Sequence, residues 1–332
     1  MKKILVIGGT GAMGVYLVPE LLKLGYKVDV VASDQPISND PNLTYTKANA
    51  KDFAVMSEIA KKGYDAIVDF MVYPTKGEYE AFLPMFLSNT DHYFYLSTYR
   101  VYANEEHPIK ETSPRLLDVS RDEVLLNSGD YCIYKAQGEE YLKSSSFDNW
   151  TIIRPAITYS KRRFQLVTLE MDTVIKRMFE GKTLILPQEA MNVQATMSWG
   201  GDVGRMIARL VLNPIAYRET YSVCTSEHHT WGEIAEIYKK IGNLKYKWVD
   251  KDTFLDIISW HPLYSKQQLI YDRLFDRIMD NSKILNATGM KQSELMTLEN
   301  GLKLEISGLP KNFSLPDNTA NIKMDKYLEE HK

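Results

Sequence analysis

Cysteine is nearly missing from this chain. Cys132 and Cys224 are the two in 332 residues, too few for a disulfide framework and without any CxxC spacing, so a pair of reduced, packed thiols is expected. Long apolar runs are missing as well. No segment is apolar for the ~18 residues that a membrane-spanning helix needs. The run at 4–7 is only a strand's length and opens into glycines, not into a signal-peptide core with a cleavage site. The expectation is a cytoplasmic protein with no membrane partner. Charge of one sign is not in excess either: 40 Lys and Arg face 43 Asp and Glu, a formal net charge of -3. That lacks the positive surplus on which phosphate-backbone binding draws, so nucleic acid is disfavoured as a partner. No internal repeat or low-complexity tract appears. With 44% hydrophobic and 25% charged residues the chain is globular, and its length calls for one large domain with a smaller one appended, or for two.

What is present alternates in type. Residues 3–7 read as a buried strand, and 11–24 carry helical spacing through Tyr16, Leu17, Leu21 and Leu24, with Pro19 inside and Gly25 as the stop. Strands at 27–32, 43–46, 66–70, 92–96 and 150–154 and helices at 53–62, 79–87 and 128–143 continue the pattern. Such alternation implies a parallel sheet covered by helices on both faces. Beyond 155 the spacing predicts a helix at 168–180, a strand at 183–186 and a strand-like stretch at 193–198. A helix at 202–212 and a strand at 220–224 then resume the earlier style. Thr230 with Glu233 three residues later reads as a capping box opening a further helix. The fold class expected is α/β, a Rossmann-type doubly wound parallel sheet with a smaller, interleaved C-terminal lobe. Residues 1–158 and 193–227 form the first part, and 159–192 and 228–332 the second.

Gly8, Gly11 and Gly14 stand immediately after the first strand and at the mouth of the first helix. There the backbone must turn tightly, approach a pyrophosphate and aim helix N-terminal amides at negative charge. With Thr10 and Met13 they make a candidate dinucleotide loop. The end of the second strand should read the adenosine ribose. It runs Val31-Ala32-Ser33-Asp34, with Asp34 two residues past the usual acidic position and no Lys or Arg between Val28 and Thr46. Ser33 and Asp34 are therefore the ribose candidates, against a solvated turn as the plainer role of Asp34. NAD is favoured as the cofactor, and NADP stays open.

Tyr131 and Lys135 are four apart, so on a helix they share a face. A nearby ammonium favours the phenolate and brings a tyrosine of reference pKa ~10 toward use as a base. Tyr134 and Tyr141 are competitors for that role by position alone. His228 and His229 raise a metal reading, but no third ligand stands at helical or loop spacing from them.

Taken together, GGTGAMG at 8–14, LSTYRVYA at 96–103, YCIYK at 131–135, IIRPAITY at 152–159 and the GGDVGRMI stretch from Gly200 resemble the extended short-chain dehydrogenase/reductase superfamily. The branch is its NAD-dependent epimerase/dehydratase family, and the resemblance covers nearly the whole chain. It implies Tyr131 as the base, Lys135 as its tuner and Thr98 as the hydroxyl that bonds the reacting group, with Ser97 as the alternative. It also implies that Phe70, Met71 and Ile157 line the cofactor, and that Asn49 replaces an adenine-contacting Asp.

The dehydratases of the family place an Asp-Glu pair where Tyr99 and Arg100 stand, and the decarboxylating members a Glu at Arg100. Epimerisation or net oxidation and reduction is expected instead, with hydride transfer through a keto intermediate of a sugar, nucleotide-linked in most of the family. The family's diphosphate-clamping Arg falls at Ala195. Arg163, Arg273 and Arg277 are the substitute candidates, the plainer reading of all three being solvated surface charge. Two other readings stand beside this one: an RNA-binding protein, since one plastid branch of the superfamily binds stem-loop RNA, and a non-catalytic NAD(P)-sensing regulator. Relatives pair through helices of the first lobe, so a homodimer is implied.

Overall fold

The computed structural model describes residues 1–259, 266–310 and 313–331. Seven parallel strands form the main sheet, in the order Glu219–Val223, Trp150–Pro155, Thr90–Leu96, Tyr64–Asp69, Lys3–Ile7, Lys27–Ala32 and Leu43–Lys47. The first strand thus lies between the second and the fourth. That reversal of strand order opens a crevice beyond their carboxyl ends, where doubly wound sheets bind ligands. The expected α/β class holds, and each predicted strand of this sheet is present within two residues of its expected bounds.

The apolar run of the first strand follows from its place. Ile4, Leu5, Val6 and Ile7 are all fully buried, because helices cover both faces of a parallel sheet. Alternate side chains serve opposite faces. Ile4 and Val6 pack with Leu17, Val28, Val30, Val203 and Ile207, whereas Leu5 and Ile7 pack with Met56, Ile67, Phe82, Phe86 and Tyr93. Each such side chain contributes about 1.5–3 kcal/mol by burial.

Helix starts differ from the spacing-based expectation where a cap decides them. The helix expected from 79 spans Lys76–Leu87, because Thr75 and Glu78 form a reciprocal capping box. The helix expected from 128 spans Tyr131–Ser144: Gly129 takes a positive φ of 63° and Asp130 caps the Cys132 amide at 2.9 Å. That cap puts Tyr131 at the first helical position and Lys135 one turn further on. The helix Trp231–Gly242 does start from the Thr230–Glu233 capping box read from the sequence.

A third core belongs to the remaining chain, where Phe164, Val174, Ile175, Leu184, Trp231, Ile234, Tyr238 and Leu302 meet. Thr183–Pro187 pairs in parallel with Lys245–Val249 there. The stretch expected as one strand at 193–198 is split into Gln194–Ala195, antiparallel to His229–Thr230, and Met197–Trp199, parallel to Ile157–Tyr159. Ile284, Met290 and Leu295 pack on the sheet beside Val203 and Ile207, so residues 228–332 do not pack as one piece. Among the described residues no helix is long and apolar enough to cross a membrane.

Candidate active site

The glycine loop has no room for side chains. Gly8 sits at φ 77° and its amide bonds the Val31 carbonyl at 2.8 Å. A Cβ on Gly9 would come within 2.8 Å of Val30 Cγ1, and one on Gly14 would overlap the Gly9 backbone. Bare backbone therefore leads into the helix Gly14–Lys23, a cradle that fits a dinucleotide pyrophosphate. Thr10 donates its hydroxyl to Asp34 at 2.5 Å, which ties the loop to the end of the second strand. Ser33, Asp34 and Asn49 are exposed, and the Asn49 carboxamide accepts from the Lys51 amide at 3.0 Å. Phe70 lies against Gly8, its Cβ 3.3 Å from where a Gly8 Cβ would stand.

A cavity of about 870 Å³ opens beside this loop. Met13, Ser97, Thr98, Tyr131 and Ile157 line one part of it, and Arg163, Gln165, Glu170, Arg273 and Asn318 another. Of the three tyrosines at issue it is Tyr131 that faces the cavity. Tyr134 is 8% exposed and does not line it. Thr98 Oγ1 accepts from the Arg100 amide at 3.2 Å. Ser97 is fully buried and its hydroxyl donates to Glu139, so Ser97 braces the loop that presents Thr98.

Lys135 is completely buried behind Tyr131. Its Nζ donates to the carbonyls of Met71 at 3.0 Å and Leu96 at 2.5 Å, and lies 5.7 Å from the Tyr131 ring centroid. Burial brings its pKa down to about 7, opposed by the Asp69 carboxylate. Asp69 accepts from the Met71 amide at 2.8 Å and from the Tyr73 and Tyr93 hydroxyls at 2.8 and 2.7 Å, so Met71 is bonded by Asp69 at its amide and by Lys135 at its carbonyl.

Below Thr98, Glu139 receives Arg154 Nε at 2.7 Å and Nη2 at 2.5 Å, and Arg115 Nη1 at 3.0 Å. Burial pushes its carboxyl up, but Arg154, with the Ser97 hydroxyl and the Lys143 ammonium, holds it down at about 2. Cys132 and Cys224 are free and buried, and burial pushes both thiols well up.

The arginines depart from the expectation of solvated charge. Arg273 and Arg277 are 2% and 1% exposed. Arg273 lines the cavity, whereas Arg277 bonds Asp272 and the Tyr102 carbonyl behind it, at 3.0 Å each. Arg273 ends a π-helical turn, Leu269–Arg273, and reaches the Val167 carbonyl at 2.7 Å. Val167 has a φ of 54°, a strained conformation for a β-branched residue that its fixed carbonyl helps to hold. Arg163 lines the cavity paired with Glu170 at 3.0 Å. Ala195 is buried and offers no charge. Gln165, Glu170, Asp172 and Asn318 were not anticipated as cavity residues. Asp172 and Asn318 meet across 146 positions and Gln165 meets Arg273 across 108, whereas Glu170 is held locally by Arg163 and Gln165.

A parallel sheet with its strand order reversed at a glycine cradle, and a Tyr-Lys helix beside the crevice, define a Rossmann-fold protein of the extended short-chain dehydrogenase/reductase type. The chain belongs to the NAD dependent epimerase/dehydratase family, whose model matches residues 4–223. NAD is the cofactor of that family. The chloroplast stem-loop binding protein of 41 kDa b from Arabidopsis thaliana is 23% identical over 256 residues, covering 73% of this chain. The chain spans 63% of the length of that curated relative.

Among solved structures, UDP-glucose 4-epimerase from Thermotoga maritima, crystallised with UDP-glucose, matches with a TM-score of 0.67 at 18% identity over 92% of this chain and 97% of that one. The dTDP-glucose 4,6-dehydratase from Bacillus anthracis, in complex with NAD, matches at 0.68 and 17% identity over 92% and 96%. The fold thus does not separate epimerase from dehydratase, and the comparisons do not support excluding the latter. Only the residues at the site bear on that choice.

Proposed function

We propose that this chain is an NAD(P)-dependent sugar epimerase or ketoreductase acting on a nucleotide-linked sugar. The observation that carries the reading is that Thr98 and Tyr131 face one cavity, with Lys135 buried behind Tyr131. Tyr131 takes the proton of the reacting hydroxyl at its phenolic oxygen. Thr98 bonds that hydroxyl and orients it. The Lys135 ammonium favours the Tyr131 phenolate and keeps one N–H for the cofactor ribose, its other two being spent on Met71 and Leu96. Bound NAD supplies the hydride acceptor and, on return, the hydride donor. The glycine loop holds the pyrophosphate, Asp34 and Ser33 the adenosine ribose, and Phe70, Met71 and Ile157 the flanks.

Elimination of water needs a further acid and base. Tyr99 donates to Asp272 at 3.0 Å and Arg100 to Asp130 at 3.0 Å, so neither position offers a carboxyl to the cavity, which favours epimerisation or simple redox. In this reading 1–158 and 193–227 serve the cofactor and 159–192 and 228–332 the substrate, apart from the stretch around Ile284, Met290 and Leu295 that packs on the main sheet, and two copies pair through first-lobe helices.

Mass spectrometry of the copurifying cofactor, followed by a panel of nucleotide sugars monitored at the absorbance of reduced cofactor, tests the reading. NAD with no sugar-dependent reduction or isomerisation would overturn it. The likeness to a stem-loop binding protein favours one second reading, RNA binding. Salt-sensitive retention of a stem-loop RNA in a filter-binding titration would support it.

A further inference from the structure

Asp69 closes the strand Tyr64–Asp69, next to Phe70 and Met71, and is 1% exposed. One carboxyl oxygen accepts from the Met71 amide at 2.8 Å, and the other from the hydroxyls of Tyr73 at 2.8 Å and Tyr93 at 2.7 Å. Those three donors suit a carboxylate, a group that only accepts. Burial pushes the Asp69 carboxyl up, and the same three donors, with Lys135, oppose it.

Lys135 presents the complementary problem. It is fully buried, and the two groups that its Nζ bonds, the carbonyls of Met71 and Leu96, are neutral. A buried ammonium is costly without a counter-charge. Glu139, on the same helix, is already engaged by Arg154 and Arg115. Lys51 repels Lys135 and is itself paired with Glu78 at 2.7 Å. Tyr95 and Tyr131 present their rings, with centroids at 5.0 and 5.7 Å. Among the described residues that leaves Asp69, whose charge is the foremost influence opposing burial at Lys135. The two also share Met71, which Asp69 bonds at the amide and Lys135 at the carbonyl.

We propose that Asp69 is a positioning residue of the hydride-transfer site: it supplies the counter-charge that keeps Lys135 an ammonium, and it holds Met71 where its carbonyl receives Lys135. The inference rests on Lys135 as the tuner of Tyr131. Asp69 is not part of the cavity wall, so it acts through Lys135 and does not meet the substrate. An ammonium favours the Tyr131 phenolate, and neutralising Asp69 therefore weakens the base without reshaping the cavity.

The test is the titration of Lys135, followed by NMR at Cε in lysine-labelled protein, with the signal assigned by its absence in Lys135→Met. The midpoint is expected at about 7 in wild type. It should lie at least about one pH unit lower in Asp69→Asn, and within about 0.3 of wild type in Tyr73→Phe, which removes one donor but leaves the carboxylate. An unchanged midpoint in Asp69→Asn, or an equal fall in Tyr73→Phe, would overturn the proposal. Should Asp69→Asn not fold, the reciprocal variant decides. In Lys135→Met the Asp69 carboxyl, followed at Cγ, should titrate at least about one pH unit higher than in wild type, and an unchanged value overturns the proposal. With a nucleotide sugar that reduces bound NAD, Asp69→Asn should lower kcat at least about tenfold at about pH 7.5, with KM within about twofold and the alkaline limb moved to lower pH. A raised KM at unchanged kcat overturns the proposal. Absence of sugar-dependent reduction in wild type overturns the proposed function instead, and the Lys135 midpoint then still decides the part played by Asp69.

Discussion

Replacing Glu139 by Gln removes the one carboxylate that neutralises Arg154 and receives Arg115 and Ser97 while leaving an amide oxygen to accept a bond. The carboxyl is held down from 4.5 to about 2. At about 1.4 kcal/mol per unit this amounts to about 3 kcal/mol of stability at neutral pH. The cost of leaving one partner of a buried ion pair alone, about 3–5 kcal/mol, agrees with it. In a chain of this length that is about 5 °C in Tm. The sign with pH follows from the depression. The contribution is complete above about pH 4.5 and is lost as pH falls toward about 2. Urea unfolding at 25 °C should therefore show a gap between wild type and Glu139→Gln of about 3 kcal/mol at pH 7 and at pH 5.5, shrinking to about 2 kcal/mol at pH 3.5. A gap under about 1 kcal/mol at pH 7, or one unchanged at pH 3.5, would refute the ion-pair account of this buried cluster.

Four further outcomes are expected. Gly14→Ala should lose NAD affinity by tenfold or more in fluorescence titration, because its Cβ would overlap the Gly9 backbone. Gly77→Ala, with nothing within 4 Å of its Cβ, should bind NAD as wild type does and be as stable or slightly more so. Lys135 has its folded pKa lowered from 10.5 to about 7, so its burial penalty is complete below about pH 7 and is relieved as pH rises. Relative to Lys135→Met, wild-type stability should rise by about 2 kcal/mol between pH 7 and 9 in urea unfolding, and a fall would contradict the assignment. Both cysteines are buried with raised pKa, so Ellman's reagent should label neither in the native protein and both in denaturant.

Legibility in the sequence followed range. The glycine cradle, the Tyr131–Lys135 turn and the Thr230–Glu233 box are set by spacings of three to six residues, and each appears where those spacings put it. The interior arginines are another matter. Arg273 finds Val167 and Tyr99 across more than 100 positions, and Arg277 finds Tyr102 across 175. A charged helix-like stretch looks solvated until those partners are known. Asp172 and Asn318, on the cavity wall, are illegible for the same reason, since they meet across 146 positions. The helices at Lys76 and Tyr131 begin where the side-chain caps of Thr75 and Asp130 put them, whereas apolar spacing only marks the buried face.

The central claim is that Tyr131 is the base of a hydride-transfer site. Its most direct measurement is single-turnover absorbance at 340 nm of the NAD-loaded protein on adding the nucleotide sugar proposed as its substrate, wild type against Tyr131→Phe. A transient of reduced cofactor is expected in wild type, and its loss by at least about a hundredfold in Tyr131→Phe, with NAD affinity unchanged. A transient of equal rate in Tyr131→Phe would contradict it.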